Sequence, residues 1–299
     1  MPNLLDIRRR IRSVRNTQQI TQALKMVSAA KLRRAQEQAL AARPYAQQLH
    51  DLMAGLAAFL DAQELGDLQL PGQDWKLGAL LEERPLRRRL IVMVTTDSGM
   101  VGAFNANVFK AAQTASAAAP GVETRFLAVG RKGRDVLRRH GAPLAGDHIG
   151  LFARTIPYSA AQQIAAQAMR AYATAEVDEV IVVGNEFKSV LQQLVATRRL
   201  LPFALPQAQQ SAAIRDYIFE TSPAELIAAL LPRAVETQIY RSLLESVASE
   251  HAARMNAMEA ATKNAGDLID HLTLHMNRVR QAAITKEIIE VVSGANALG

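Results

Sequence analysis

The chain has 299 residues and no cysteine, which excludes disulfides, thiolate nucleophiles and thiolate metal sites. Aromatic residues make up only 5%, and 16 glycines with 11 prolines are few for this length. That balance favours long helices over an all-β fold. No apolar run approaches the ~18 residues of a membrane-spanning helix, and no secretory signal pattern precedes Leu4. A soluble, cytoplasmic protein is expected. Acidic residues are scarce in the first sixty positions, where Asp6, Glu37 and Asp51 face ten Lys and Arg. The remaining residues hold 25 of each sign, so the whole net charge of +7 lies on the N-terminal segment. Such a run is either a solvated helix face or the footprint of an acidic partner.

The segment does contain a seam. Alternating steps of three and four from Leu32 reach Ala35, Ala39, Ala42, Ala46, Leu49, Met53, Leu56 and Leu60, all apolar. Run backward, the register gives Ser28, Lys25, Thr21 and Gln18, then Val14, Ile11, Ile7 and Leu4. One heptad stripe therefore spans the segment, apolar at both ends and polar in the middle. Pro44 falls within it and predicts a slight bend. At about 1.5 Å per residue such a helix would run roughly 87 Å, too long for one compact domain to cover. The C-terminal end mirrors it. Ser222 and Pro223 read as N-cap and first helical residue, with Glu225 in the first turn. A second stripe follows through Met255, Met258, Thr262, Ala265, Ile269, Leu272, Met276, Val279 and Ala283. Two stripes at opposite ends of one chain predict an antiparallel coiled coil.

The middle changes period. Apolar runs at 86–105, 123–141 and 177–187, separated by helical stretches to Ala119 and from Ser159 to Ala175, predict an α/β layer with a mostly parallel, Rossmann-like sheet. "KSVLQQLVATRRLLP" and "DYIFE" read as further strands. The expected organisation is an N-terminal coiled-coil helix (1–61), a linker (62–87), the α/β domain (88–220) and a C-terminal coiled-coil helix (221–299).

Candidate chemistry is thin. "TTDSGMVGAFN" is a Gly-containing strand-to-helix turn of the kind that can cradle phosphate, yet it matches neither dinucleotide nor P-loop spacing. In "GRKGRD", Arg131, Lys132 and Arg134 could hold an anion. Asp267, His271 and His275 recur at metal-ligand spacing on one helical face, with no fourth ligand in sight. A solvated or partner-facing stripe and a tight packing turn explain these patterns better, and no catalytic residue, cofactor or metal is expected. The final helix is more telling. Ile284, Ile288, Ile289, Val291 and Val292 occupy more than one face, and an end apolar on several sides calls for enclosure.

At these residues the chain resembles the gamma subunit of the F-type ATP synthase. "ITKEIIEVVSGANA" is similar to that family's C-terminal signature at Ile284, Thr285, Glu287, Glu290, Gly294 and Ala295. "SEHAARMNAMEAATKNAG", "IRSVRNTQQIT" and "KMVSAAKLRRAQ" resemble its other marked stretches. The resemblance implies a central rotor shaft turning inside a hexamer of alpha and beta subunits. The α/β domain would be a foot meeting the epsilon subunit and the membrane ring of c subunits. It implies a peripheral position on the cytoplasmic face of a bacterial inner membrane, with no insertion into the membrane and no nucleic acid. Arg254 and Gln281 would touch an acidic segment of a beta subunit. Gln18, Thr21, Lys25 and Ser28 would lie where the shaft is gripped, and Thr285, Ile288 and Val292 in the enclosed tip. Relatives often carry a cation at Ser98 and a glycine at Ala103, a departure that falls in the foot. A coiled-coil nucleic-acid binder or scaffold and a Rossmann-type nucleotide-binding enzyme are the alternative readings.

Overall fold

A computed structural model describes residues 4–57, 75–153, 155–205 and 220–298. Helix α1 spans Leu4–Ala57 and helix α5 spans Pro223–Leu298. Both contain a proline, Pro44 and Pro232, without losing helical continuity. Helix α5 begins as the sequence predicts: Pro223 has no N–H to lose in the first turn, and Ser222 Oγ accepts the Glu225 N–H at 3.2 Å. The chain falls into two compact units, residues 1–30 with 254–299 and residues 31–253.

The larger unit is built on a sheet. Its elements in order are β1 (Arg88–Val94), α2 (Phe104–Ala117), β2 (Glu123–Val129), α3 (Arg131–Arg139), β3 (Leu144–His148), α4 (Tyr158–Ala173), β4 (Glu179–Phe187) and β5 (Gln193–Leu201). The strands lie in the order β3-β2-β1-β4-β5, parallel except for β5, which pairs antiparallel with β4. Period-two alternation sorts side chains to two faces, both buried. Leu90, Val92 and Val94 pack with α4 and with the α1 and α5 residues of this unit, among them Leu49, Met53, Ile227 and Val235. Ile91 and Met93 face α2 and α3 through Val108, Ala112 and Leu137. The α/β class with a mostly parallel sheet is the predicted one.

Strand β3 was not legible in the sequence. "LAGDH" has no apolar run, its burial alternates only between half-buried and exposed, and it lies at the sheet edge. The strand expected at "DYIFE" lies, Glu220 apart, outside the described residues, as does 62–74 of the expected linker. Residues 75–87 contribute Trp75, Leu77 and Leu80 to the core.

Two polar devices fix the sheet. Asp178, 6% exposed, accepts the backbone N–H groups of Arg87 (3.1 Å) and Arg88 (2.8 Å) and the Arg88 guanidinium (3.0 Å), clamping the starts of β1 and β4. Burial alone would push its carboxyl up, but these donors hold it below the usual carboxylate range. At the other end, Thr95 Oγ1 donates to Val129 O (2.9 Å) and accepts from Gly133 N (2.9 Å). The approach is so close that a Cβ on Gly133 would meet Thr95 Oγ1 at 2.5 Å, and one on Gly130 would meet Thr95 O at 2.5 Å.

Candidate functional site

In the smaller unit the two stripes face each other. Every predicted seam position of α1 from Leu4 to Ser28 is buried or half-buried, and so is every one of α5 from Met255 to Ala283. The contacts run in opposite directions: Gln18 meets Gly266, Thr21 meets Thr262 and Lys25 meets Glu259. The pair is antiparallel, as predicted.

The polar centre is satisfied internally. Thr21, 8% exposed, lies 2.8 Å from Thr262, hydroxyl to hydroxyl. Each also lies close to a carbonyl of its own preceding turn, Gln18 O at 2.9 Å and Met258 O at 2.7 Å. Two hydroxyl protons serve three contacts, so one proton crosses between the helices or both stay on their own turns. Ser28, 3% exposed, donates to Leu24 O at 2.7 Å. Lys25 reaches Glu259 at 2.8 Å, an ion pair open enough to water to contribute only ~0–1 kcal/mol. Gln18 is half-buried beside Gly266. Thr21 and Ser28 therefore turn into the helix pair and present no side chain outward, because the heptad register that placed them on the seam also buries them.

The outward surface is made by other residues. Arg254 is half-buried, and Gln281 and Thr285 are exposed. Arg8, Arg9, Arg10, Arg12 and Arg15 are all exposed, and among the described residues none has an ion-pair partner. Beyond Ala283 every side chain among the described residues is exposed. Ile284, Ile288, Ile289, Val291 and Val292 are 48%, 57%, 58%, 72% and 53% exposed and form one broad face, opposite the Lys286–Glu290 ion pair. Further apolar side chains stand outward on the flanks of the pair: Ile20, Met26 and Val27 on α1, Leu268 and Leu274 on α5. Sequence reasoning passed over these five. The signal was present, since each is apolar yet falls off both heptad registers.

The other candidates resolve differently. Asp97 accepts the N–H groups of Arg131 (2.9 Å), Gly150 (3.0 Å) and Phe152 (3.1 Å), so the chain's own carboxylate occupies the anion position at the start of α3. Arg131 and Lys132 are exposed, and Arg134 is paired with Asp135 at 2.8 Å, holding that carboxyl below its usual range. Gly102 takes the positive φ its turn needs, 58°. Met100 shares the left-handed region at 62°. Ser98 donates to the buried Glu250 at 3.2 Å, tying this turn to α5. Asp267, His271 and His275 are exposed on α5, and among the described residues no group of three potential ligands converges.

A family model described as ATP synthase matches residues 3–298. The ATP synthase gamma chain of Solibacter usitatus is 51% identical over 297 residues, 99% of each chain. The chain belongs to the ATP synthase gamma-chain family. The gamma chain of Desulfitobacterium hafniense is 45% identical over 298 residues, the whole of both chains. Among solved structures, a chain of the central stalk and c-ring of the Tetrahymena thermophila mitochondrial ATP synthase gives a TM-score of 0.57 at 25% identity. The match covers 81% of this chain and 99% of that one. A rotor chain of the Euglena gracilis mitochondrial enzyme gives 0.62 at 18% identity, covering 94% and 98%. The fold of this gamma-chain member is thus that of a central stalk, and no described helix is long and apolar enough to cross a membrane.

Proposed function

We propose that the chain is the central-stalk rotor subunit of an F-type ATP synthase. It couples ion flow through a membrane ring of c subunits to ATP synthesis or hydrolysis in a hexamer of alpha and beta subunits. The observation that carries this reading is the helix pair ending in an unpaired apolar tip, within a chain of this family. An apolar face this broad, left exposed at the end of a helix pair, calls for a partner to enclose it. The chain has no catalytic site of its own. It supplies shape and torque, while the bond chemistry belongs to the hexamer. The α/β unit meets the epsilon subunit and the ring, which places the chain peripherally on the cytoplasmic face of a bacterial inner membrane.

Partner contact falls to the outward residues. Gln281, Thr285, Ile288 and Val292 lie on the tip and its approach, with Arg254 farther back along α5. Lys25 is shared between Glu259 and the surroundings. Gln18, Thr21 and Ser28 contribute by holding the pair in which those residues are presented. The N-terminal arginines face acidic segments of the beta subunits, which accounts for the charge concentrated on α1.

Tagged chain is expected to co-purify with alpha and beta subunits, and recovery free of both would refute the reading. In the assembled complex, Arg254→Glu with Gln281→Ala is expected to slow ATP turnover roughly tenfold, the scale of a lost charge-assisted hydrogen bond. Turnover at the wild-type rate would remove these two residues from the contact. DNA affinity falling steeply with salt would instead favour nucleic-acid binding.

A further inference from the structure

The α/β unit holds a cleft of about 980 Å³ between the second half of α1, the β4–β5 hairpin and the first part of α5. Five cations line it from three separated stretches of sequence: Arg43 on α1, Lys188, Arg198 and Arg199 on the hairpin, and Arg241 on α5. Three carboxylates answer them. Glu186 lies 2.6 Å from Lys188 and 3.3 Å from Arg198. Glu245 lies 3.3 Å from Arg198 and 2.8 Å from Arg241, and Glu83 lies 3.1 Å from Arg199. Two positive charges remain in excess among the described residues, and Arg43 has no partner there. The Arg199–Glu83 pair is solvent-exposed, so Arg199 is readily redirected. Apolar side chains, Leu49, Leu200 and Phe203 among them, form part of the lining. Thr237, 7% exposed, adds a buried hydroxyl beside the Tyr158 phenol.

We propose that this cleft binds a phosphate-bearing small molecule as its dianion. The excess charge matches a phosphate monoester, and guanidinium forks such as those of Arg43 and Arg199 suit its oxygens in a way that a point charge does not. The apolar lining offers a surface for an organic body, and the Thr237 hydroxyl offers a polar contact for it. The volume lies within the range of small-molecule pockets, roughly 300–1,000 Å³. Asp97 already fills the anion position at the start of α3, so that turn does not compete with the cleft.

The test uses the full-length chain and hydrogen exchange, which reads each segment whether or not the chain self-associates. Inorganic phosphate and AMP serve as probes, against chloride at matched ionic strength. Both phosphates are expected to slow exchange within 43–53, 193–203 and 234–242, and chloride is not. The Arg43→Ala and Arg199→Ala variants, altered at exposed side chains, are each expected to weaken binding about tenfold, equivalent to ~1.4 kcal/mol. AMP binding more tightly than phosphate would assign the apolar lining to an organic body, and equal binding would assign the site to the bare anion. Exchange unaltered by either phosphate, or protection that survives both substitutions, would overturn the proposal. The rotor reading rests on co-purification and is untouched by either result.

Discussion

Thr21 and Thr262 pose a residue-scale question that the heptad pattern could not. A polar residue on a seam reads as a weakness, yet here each hydroxyl has both a carbonyl on its own turn and a partner across the interface. A double-mutant cycle with Thr21→Val and Thr262→Val is expected to give a coupling of ~0.5–1.5 kcal/mol in thermal or urea unfolding. Coupling near zero would show that both protons stay on their own turns. Asp178 carries a pH dependence of known sign. Its folded-state pKa is lowered, so its contribution is present above the ordinary carboxylate value, ~3.9, and is lost as pH falls through the folded value. Asp178→Asn is expected to cost ~1–3 kcal/mol at neutral pH, and progressively less as pH falls below the ordinary carboxylate value, read from urea midpoints. An equal loss at every pH would mean that the carboxylate charge contributes nothing.

Two glycines at the scale of the element make opposite predictions. Gly266 sits inside α5, where alanine gains ~1 kcal/mol of helix propensity. The atom its Cβ would meet, Gln18 Nε2 at 3.2 Å, is the far end of a flexible side chain. Gly266→Ala is therefore expected to raise the melting temperature of the helix pair, and a fall would show that Gln18 cannot give way. Gly130 has φ 95° and faces the backbone oxygen of Thr95 at 2.5 Å, with no flexible atom to move. Gly130→Ala is expected to cost more than ~2 kcal/mol, or to leave no folded α/β unit, by circular dichroism on urea titration. The sign of each change depends on whether a side chain or the backbone stands opposite, and on the positive φ of Gly130.

For the whole molecule, the apolar tip is the liability that assembly removes. Its five large side chains, each about half exposed or more, would gain on the order of 1–2 kcal/mol apiece on enclosure. The isolated full-length chain is therefore expected to self-associate at micromolar concentration. Ile284→Ser, Ile288→Ser and Ile289→Ser together should return it to a monomer in analytical ultracentrifugation. A monodisperse wild-type chain would show that the tip needs no partner.

Local periodicity determined much of this protein. Both stripes, the antiparallel pairing and the parallel α/β layer follow from which residues recur at steps of three and four or of two, and the start of α5 from its Ser222–Pro223 cap. Such patterns survive because burying one face of a helix, or both faces of a strand, requires them. The exposed tip was legible for the same reason, as a broad apolar face beyond the end of the paired stripe. Tertiary structure alone decided what depends on residues distant in sequence. Only pairing could set Thr21 opposite Thr262, turn Asp97 onto the start of α3, or gather Arg43, Arg199 and Arg241 around one cleft. Edge strand β3 belongs with these, since its pairing with β2, and no apolar run of its own, makes it a strand. A side chain's own sequence window fixes which face it occupies, and the fold fixes what stands opposite.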